Sequence, residues 1–201
     1  MAIQTFTSGQ ILTAAQMTAL QYQAVMTFTN EAARDAALTA PTEGMFAYLT
    51  APTVPTSTTG ALTAYTGSSW ACLTPQGAVV NTLESTSSSS YTALATAGPA
   101  VTLVTGTKAL VTITATIDSA STAGNTQVYA AFAVSGATTI ASNDDQALDH
   151  RLGGSFATLS GTYLVSGLTA GTNTFTMQYK TGNASDAARY QRRNIVVVGV
   201  L

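Results

Sequence analysis

Charged side chains are scarce in this chain. Asp, Glu, Lys and Arg make up 8% of its 201 residues, against about 25% in an average soluble domain. With seven cations, nine acids and a net charge of −2, it lacks the basic excess that binds nucleic-acid phosphates. Such a neutral surface favours association. We therefore expect much of it to be buried against identical copies or within a larger assembly; the alternative is a Thr-rich monomer.

Cysteine and histidine occur once each, as Cys72 and His150. A single cysteine excludes an internal disulfide framework. The one histidine is the only candidate base for Ser-His-Asp catalysis, and no Gly-x-Ser-x-Gly motif accompanies it. The longest apolar run, residues 195–201, is strand-sized and far below the roughly 18 residues of a membrane span. No secretory leader is visible. Because the chain has one candidate base and no long apolar run, we expect a non-enzymatic chain without cofactor or membrane insertion.

Hydrophobic residues make up 46% of the chain, which excludes general disorder. The two halves differ in charge: residues 1–107 carry one cation and four acids, whereas residues 108–201 carry six cations and five acids. The Ser/Thr run at 85–90 is typical of a linker. These features predict an N-terminal module over residues 1–84 and a C-terminal domain over residues 85–201.

The N-terminal module begins with a short helix, predicted over about residues 14–24. Thr13 and Gln16 have the spacing of a capping box at its start. Its apolar stripe is too thin to hold so short a helix folded alone. We expect the stripe to lie in an oligomer or partner interface, formed by Leu12, Met17 and Leu20.

A second helix and a small sheet complete this module. Asn30 or Thr29 is placed to cap a helix over about residues 31–38, which ends before Pro41. Short apolar strands separated by turn residues predict a small β-meander over residues 45–73. Three short strands are close to the minimum that is stable alone. The module therefore has the character of an anchor or adaptor.

The C-terminal domain has a consistently β pattern. Alternating side chains and Gly-containing turns predict strands at 100–104, 109–117, 127–134, 156–165, 172–179 and 188–200. Strands at this spacing are typical of an antiparallel β-sandwich of jelly-roll type. Because residues 195–198 are apolar on both faces, we expect the last strand to be central or covered on both sides.

Three acids cluster in one segment, at Asp144, Asp145 and Asp149. Clustered carboxylates can bind Ca²⁺ through their oxygens, although this spacing matches no EF-hand loop. The alternative, which we favour, is a solvated loop neutralised by His150 and Arg151. We therefore expect no metal site.

Three of the seven cations lie within five residues, at Arg189, Arg192 and Arg193. Arginine forms bidentate pairs with carboxylates and suits interfaces. One hypothesis is that these arginines contact acids such as Asp118 or Asp144 on a neighbouring subunit. The alternative is an exposed cationic loop end.

Several segments have recognisable patterns. The first set contains FTSGQILTAAQM at 6–17, NEAARDA at 30–36, PTEGMFAYL at 41–49 and YTGSSW, a Tyr-x-Gly-x-x-Trp hairpin, at 65–70. The second contains SSYTALATAGPAV at 89–101 and RNIVV at 193–197. The first set resembles the N-terminal region of tailed-phage virion proteins. The second is similar to the C-terminal β-domains of minor tail and fibre proteins of actinobacteriophages.

The resemblance implies a homotrimeric structural protein of the virion, assembled in the bacterial cytoplasm. Its N-terminal module would dock on other virion proteins, and its β-sandwich head would face outward. A minor tail or short fibre component is expected; a capsid decoration or head-fibre protein is the alternative.

A function of a different class is a carbohydrate-binding module that recognises the host envelope. Exposed tyrosine rings can stack on sugars, and the candidates are Tyr91, Tyr129, Tyr163 and Tyr190. A polysaccharide-degrading enzyme is disfavoured because the clustered carboxylates are few and confined to one loop.

Overall fold

A computed structural model describes residues 8–21, 24–55, 59–120, 126–151 and 153–201. Strands account for 50% of the chain and helices for 9%. The strands form several antiparallel sheets. The predicted class, a mainly β protein with a sandwich-like domain, is confirmed.

The N-terminal part contains two short helices and a four-stranded sheet. In chain order its elements are α1 (Ala14–Gln21), β1 (Met26–Phe28), α2 (Glu31–Ala37), β2 (Phe46–Leu49), β3 (Ala61–Tyr65) and β4 (Trp70–Cys72). The strands lie in the order β1-β2-β3-β4. Pairing of β2, β3 and β4 is antiparallel, which confirms the meander, while β1 adds an unpredicted parallel strand beside β2.

A side chain caps the N-terminus of each helix. The Thr13 backbone N–H donates to Gln16 Oε1 at 2.9 Å, and the Gln16 N–H donates to Thr13 Oγ1 at 3.3 Å, which confirms the capping box. Asn30 caps α2 by accepting from the Ala33 N–H at 3.0 Å. Helix α1 is described over Ala14–Gln21, and its predicted end near residue 24 stays a prediction, because the residues in between are not described. Residues 22–23 lie outside the described ranges.

The C-terminal part is a two-sheet sandwich. Its strands are β5 (Gln76–Val80), β6 (Glu84–Thr86), β7 (Ala100–Thr105), β8 (Lys108–Ser119), β9 (Val128–Gly136), β10 (Leu148–His150), β11 (Ala157–Ser166), β12 (Gly171–Thr181) and β13 (Ala188–Val200). Sheet I has the order β11-β8-β13-β5, with β6 also paired to β13, and sheet II has the order β10-β9-β12-β7.

The connectivity is that of a jelly roll. Leaving β6 aside, the chain passes from one sheet to the other at each step from β5 to β13, except between β9 and β10, which are neighbours in sheet II. Eight strands wound in this way form the double-sheet jelly roll. The predicted architecture of the head is therefore confirmed.

The inward faces of both sheets form one apolar core. Alternation along β8 directs Val111, Ile113 and Ile117 inward. From sheet II, Phe132 and Phe175 meet at a ring-centroid distance of 6.4 Å. Because successive strand residues point to opposite faces, the intervening threonines of β8 point outward.

Strand β13 lies between β8 and β5, so its predicted central position is confirmed. Its register against β8 shifts between Gln191 and Asn194. Arg192 has φ +50 there, in the left-handed region that glycine takes in one type of β-bulge. The extra residue in the bulge leaves Arg193 on the buried side of the strand.

The N-terminal sheet packs against the sandwich through β4. Ser69 Oγ, just before β4, donates to the Thr105 carbonyl at 3.1 Å. A Cβ at residue 199 would lie 2.6 Å from the Cys72 carbonyl oxygen, so Gly199 is required for this close approach. Ala61 and Cys72 belong to the same buried cluster as the sandwich core.

All six strands predicted in the C-terminal domain are present, and β5, β6 and β10 are additional. The Ser/Thr run at 85–90 is attached to the sandwich: β6 pairs with β13, and the Ser88 carbonyl accepts from the Thr181 N–H at 2.9 Å. This corrects its interpretation as a linker. Strand β5 pairs with β13 as well. The division into 1–84 and 85–201 stays a prediction.

Candidate functional site

The outer face of sheet II carries a cluster of one cation, one carboxylate and two tyrosines. Lys180 of β12 and Tyr129 of β9 are cross-strand partners in adjacent strands. Tyr91 lies in the segment before β7, and Asp144 begins a single 3₁₀ turn, Asp144–Gln146. The Asn143 side chain caps that turn by accepting from the Gln146 N–H at 3.1 Å. We refer to Tyr91, Tyr129, Asp144 and Lys180 as the Lys180 cluster.

Lys180 is the centre of this cluster. Its Nζ lies 4.8 Å from the Tyr91 ring centroid and 4.4 Å from the Tyr129 centroid, within the range of cation–π contacts. The same Nζ lies 2.6 Å from Asp144 Oδ1 and 2.9 Å from Oδ2. The Tyr91 hydroxyl donates to Asp144 Oδ1 at 2.9 Å. The four side chains therefore hold one another in place.

Protonation in the cluster follows from these contacts. The hydrogen bond from Lys180 holds the pKa of Asp144 below its usual value, and the bond from Tyr91 acts in the same direction. Burial raises the pKa of Tyr91, and its hydrogen bond to Asp144 adds to the increase. Asp144 is thus ionised and Tyr91 is a neutral donor at neutral pH.

A shallow depression of about 330 Å³ adjoins the cluster at Tyr129. Gln127 in its wall donates to Asp149 through Nε2 and accepts from Arg151 Nη2 at 2.8 Å through Oε1. The remaining wall is formed by Thr126, Gly182 and Asn183. A tyrosine ring beside several donors and acceptors has the chemistry to contact a polyhydroxylated ligand.

Two of the three clustered acids, Asp144 and Asp149, contact different partners. Asp144 contacts Lys180 and Tyr91, whereas Asp149 accepts from Gln127. Among the residues that the structure describes, no three His, Cys, Asp or Glu side chains are grouped to hold a metal ion. The hypothesis of a Ca²⁺ site at Asp144, Asp145 and Asp149 therefore has no convergent set of ligands in those ranges.

The neutralising partners also differ from the predicted ones. Lys180 pairs with Asp144, while Arg151 contacts Gln127 and His150 Nε2 lies 3.3 Å from the Ser155 carbonyl. Lys180 was not predicted as a partner of these acids. The signal was available, because alternation along β12 places Lys180 on the outward side with Thr174, Thr176 and Gln178.

The four tyrosines predicted to be exposed divide into two pairs. Tyr91 and Tyr129 are half-buried in the Lys180 cluster and reach the surface. Tyr190 is fully buried, and its hydroxyl donates to the Tyr129 and Lys180 carbonyls at 2.9 and 2.7 Å. Tyr163 packs its ring against Phe132 and donates to the Ala147 carbonyl at 2.9 Å. The prediction of an exposed ring is wrong for Tyr190, whose strand position points inward; Tyr163 is half-buried, with its ring packed toward the core.

The three arginines at 189, 192 and 193 lie in different surroundings. Arg193 is fully buried and pairs with Glu84 of the same chain, with Nη2 2.7 Å from Oε2. Its Nη1 donates to the Thr96 and Gly98 carbonyls at 3.2 and 3.3 Å. The guanidinium lies 5.3 Å from the Tyr179 ring centroid. We refer to Arg193, Glu84 and Tyr179 as the Arg193 cluster.

Arg189 pairs with Asp118 of its own chain and lies over the Phe156 ring, at 5.2 Å from its centroid. Asp118 itself is buried and also accepts from the Ser155 N–H at 3.1 Å. Arg189 and Arg193 thus have carboxylate partners within the chain, and the expected pairing with a neighbouring subunit stays a prediction. Arg192 is exposed, and its place in an interface stays a prediction.

The N-terminal stripe is open to solvent. Leu12 and Met17 are exposed, as are Ile11 before α1 and Val25 after it, while Leu20 is half-buried. Their expected role in an interface stays a prediction. Within the described ranges, no helix has the length and hydropathy required to cross a bilayer. Cys72 is buried, and burial raises the pKa of its thiol.

The chain has distant likenesses to solved structures. No protein-family model matches the chain, and no curated protein matches it. Among solved structures it is similar to a chain of infectious bursal disease virus Gx strain, with 10% identity and TM-score 0.36 over 70% of this chain and 41% of that one.

Two further structures are similar over about the same share of the chain. The CBM22-1 xylan-binding domain of Paenibacillus barcinonensis Xyn10C matches at 14% identity and TM-score 0.29, over 64% of this chain and 86% of that one. A family two carbohydrate esterase from Cellvibrio japonicus matches at 9% identity and TM-score 0.23, over 63% and 34%. These likenesses are too distant to assign a family or a function.

Proposed function

We propose that this chain is a non-enzymatic structural protein of a tailed-phage virion. In this proposal it is a homotrimeric minor tail or short fibre component. The N-terminal module attaches it to other virion proteins, and the jelly-roll head faces outward. The sequence patterns at 6–17, 65–70 and 89–101 that resemble such proteins are one source of support.

The observation that carries the proposal is the exposed apolar surface of the N-terminal segment. Ile11 is 89% exposed, Val25 is 56% exposed, and Leu12 and Met17 are exposed beside them. Burial of apolar surface is favourable by roughly 25 cal/mol per Å². A segment with this surface gains stability by docking on another protein, as an anchoring module must.

The head supports the same proposal through its architecture. Double-sheet jelly rolls occur in viral capsid proteins and in lectins, although a fold does not by itself decide a function. With only 8% charged residues, the chain is suited to contacts with copies of itself or with other proteins.

Immunogold electron microscopy of phage particles that encode this chain tests the proposal. An antibody to the jelly-roll head should label the tail of intact particles. Label over the capsid would favour the alternative, a capsid decoration or head-fibre protein. Absence of the chain from purified particles, measured by mass spectrometry, would contradict a virion role.

A second candidate function is binding of host-envelope carbohydrate by the head. The depression beside Tyr129 favours it, because Gln127, Arg151 and Asn183 supply polar groups next to an aromatic ring. The full chain should then bind host cells or a glycan array, and Tyr129→Ala should remove that binding. Thr176→Ala, on the outward side of β12, is the matched control and should not change it. Absence of binding by the unaltered chain would contradict this function.

A further inference from the structure

Arg34 of α2 is a nearly buried cation in the N-terminal module. It is 5% exposed and is the single Lys or Arg among residues 1–107. Its guanidinium lies over the ring of Trp70 in β4, at 4.6 Å from the centroid, within the range of cation–π contacts. Trp70 belongs to the small apolar core of the N-terminal sheet, with Met45 and Ala47. Helix α2 therefore places a charged group against an apolar core.

The Arg34 guanidinium has a carboxylate partner on one side only. Its Nε donates to Asp35 Oδ1 at 2.8 Å, and the Asp35 side chain is 59% exposed. No residue in the described ranges accepts from either η nitrogen of Arg34. Both η nitrogens reach solvent, since neither is a fully buried unpaired atom. Arg34 thus presents its η N–H groups at a narrow opening in the surface.

Arg193 shows how a buried arginine is satisfied within the same chain. Its Nη2 pairs with Glu84, and its Nη1 donates to two backbone carbonyls. Arg34 is almost as buried, yet its η nitrogens have no such acceptors among the described residues. A buried cation is stabilised by pairing and by hydrogen bonds. The η groups of Arg34 are therefore donors that an acceptor from another molecule can use.

We propose that Arg34 binds a carboxylate carried by the virion protein to which the N-terminal module attaches. The proposal rests on the function proposed above and names one contact of that attachment. A guanidinium offers two parallel N–H groups to the two oxygens of a carboxylate. Trp70 lies on one side of this fork, and its indole N–H, which has no acceptor in the described ranges and reaches solvent, is a further donor.

The charges around Arg34 favour a carboxylate over a phosphate. Glu31 and Asp35 lie on the same helix as Arg34, and residues 1–107 hold four acids against this one cation. A phosphate group carries about two negative charges at neutral pH, so these acids repel it more strongly than a carboxylate. A single arginine fork pairs with one carboxylate bidentately. An acidic side chain of a partner protein therefore matches this site in charge and in shape.

Binding of acetate to the 201-residue chain tests the site, with Trp70 fluorescence as the readout. Trp70 is the single tryptophan of the sequence, so its emission reports on this position alone. Acetate, exchanged for NaCl at constant ionic strength, should change the emission until the site is saturated. Acetamide, which has nearly the same shape without the charge, should not change it. An acetate titration that matches the acetamide titration would contradict the proposal.

Arg34→Lys and Asp35→Asn should change acetate binding in opposite directions. Arg34→Lys keeps the charge but loses the fork, and we expect binding at least about 10-fold weaker. Asp35→Asn removes the carboxylate that competes for the fork, and we expect binding roughly 2–5-fold tighter. Arg192→Lys, the same change at an exposed arginine of the head, is the matched control and should bind acetate as the unaltered chain does. Asp35→Asn also covers the case in which Arg34→Lys does not fold, and acetate binding that it leaves unchanged would contradict the site.

Phage particles that carry the variants test the role of the site in attachment. Arg34→Lys should lower the copy number of the chain in purified particles at least about 10-fold, measured by mass spectrometry, and Arg192→Lys should leave it unchanged. A normal copy number for a folded Arg34→Lys variant that no longer binds acetate would overturn the partner proposed for the site. Absence of the unaltered chain from the particles would overturn the virion role instead, while its acetate binding would stand.

Discussion

Two clusters in the sandwich combine the same chemical groups in different surroundings. In the Arg193 cluster a cation pairs with Glu84 and lies over Tyr179, with the arginine fully buried. In the Lys180 cluster a cation pairs with Asp144 and lies between Tyr91 and Tyr129, with the Asp144 side chain 53% exposed. The first connects β6 and the segment before β7 to the core side of β13, whereas the second fixes a surface loop.

The comparison shows that burial, rather than the kind of residue, decides what a charged group contributes. Removing one partner of a buried pair leaves an uncompensated charge in a medium of low dielectric. An exposed pair keeps its hydration when it is broken, and salt screens it. We therefore assign the Arg193 cluster to stability and leave the Lys180 cluster available for a surface role.

The largest effect is expected from Arg193→Met. It should lower the free energy of unfolding by about 3–5 kcal/mol, because Glu84 loses its cation and the Thr96 and Gly98 carbonyls each lose a hydrogen bond. Arg192→Met is the control; its side chain is exposed, so the change should stay within about 0.5 kcal/mol. Denaturant unfolding at one fixed chain concentration measures the free energy of unfolding of both variants. Similar losses for the two would contradict the conclusion that burial decides what a charged group contributes.

An intermediate effect is expected from Glu84→Gln, and it should depend on pH. The hydrogen bond from Thr96 and the charge of Arg193 hold the pKa of Glu84 below its ordinary value of 4.5. A carboxyl with a lowered folded-state pKa stabilises the protein above its unfolded pKa, and this is lost as the pH falls through the folded-state pKa. At neutral pH the substitution should therefore cost about 1–3 kcal/mol.

Below pH 4.5 the unfolding curves of the unaltered chain and of Glu84→Gln should converge. Thermal unfolding between pH 7 and pH 2.5 measures the difference at each pH. A difference that stays constant over this range would show that ionised Glu84 is not the source of the effect.

The smallest effect is expected from Lys180→Met. The exposed pair with Asp144 should contribute less than about 1 kcal/mol at low ionic strength. In 1 M NaCl, where the Debye length is about 3 Å, the contribution should fall toward zero. Unfolding with and without salt tests this; a loss as large as that of Arg193→Met, or one insensitive to salt, would remove the distinction between the clusters.

The alternating strands of the head were predictable because their period reflects burial on one face. Strands β5 and β10 were not, since neither has a long apolar pattern of its own. Gln76–Val80 contains a glycine and follows a proline, and Leu148–His150 has three residues. Each is a strand because its backbone pairs with β13 or β9, a long-range contact that local sequence does not specify.

The site was predicted less well than the fold. Arg193 looked like part of a cationic surface segment, but the bulge at Arg192 turns it inward, toward Glu84. The burial of Tyr190 follows from its alternation with Ala188, a signal that was available. Sequence predicts Tyr91 and Tyr129 as contact residues, but their link through Lys180 depends on a fold that joins residues far apart in the chain.

The mass of the 201-residue chain in solution tests the central claim, the homotrimer, most directly. Sedimentation or light scattering over a wide range of concentrations should give a species of three times the 20.5 kDa chain mass. A chain that remains a soluble monomer of 20.5 kDa at the highest concentration would contradict it.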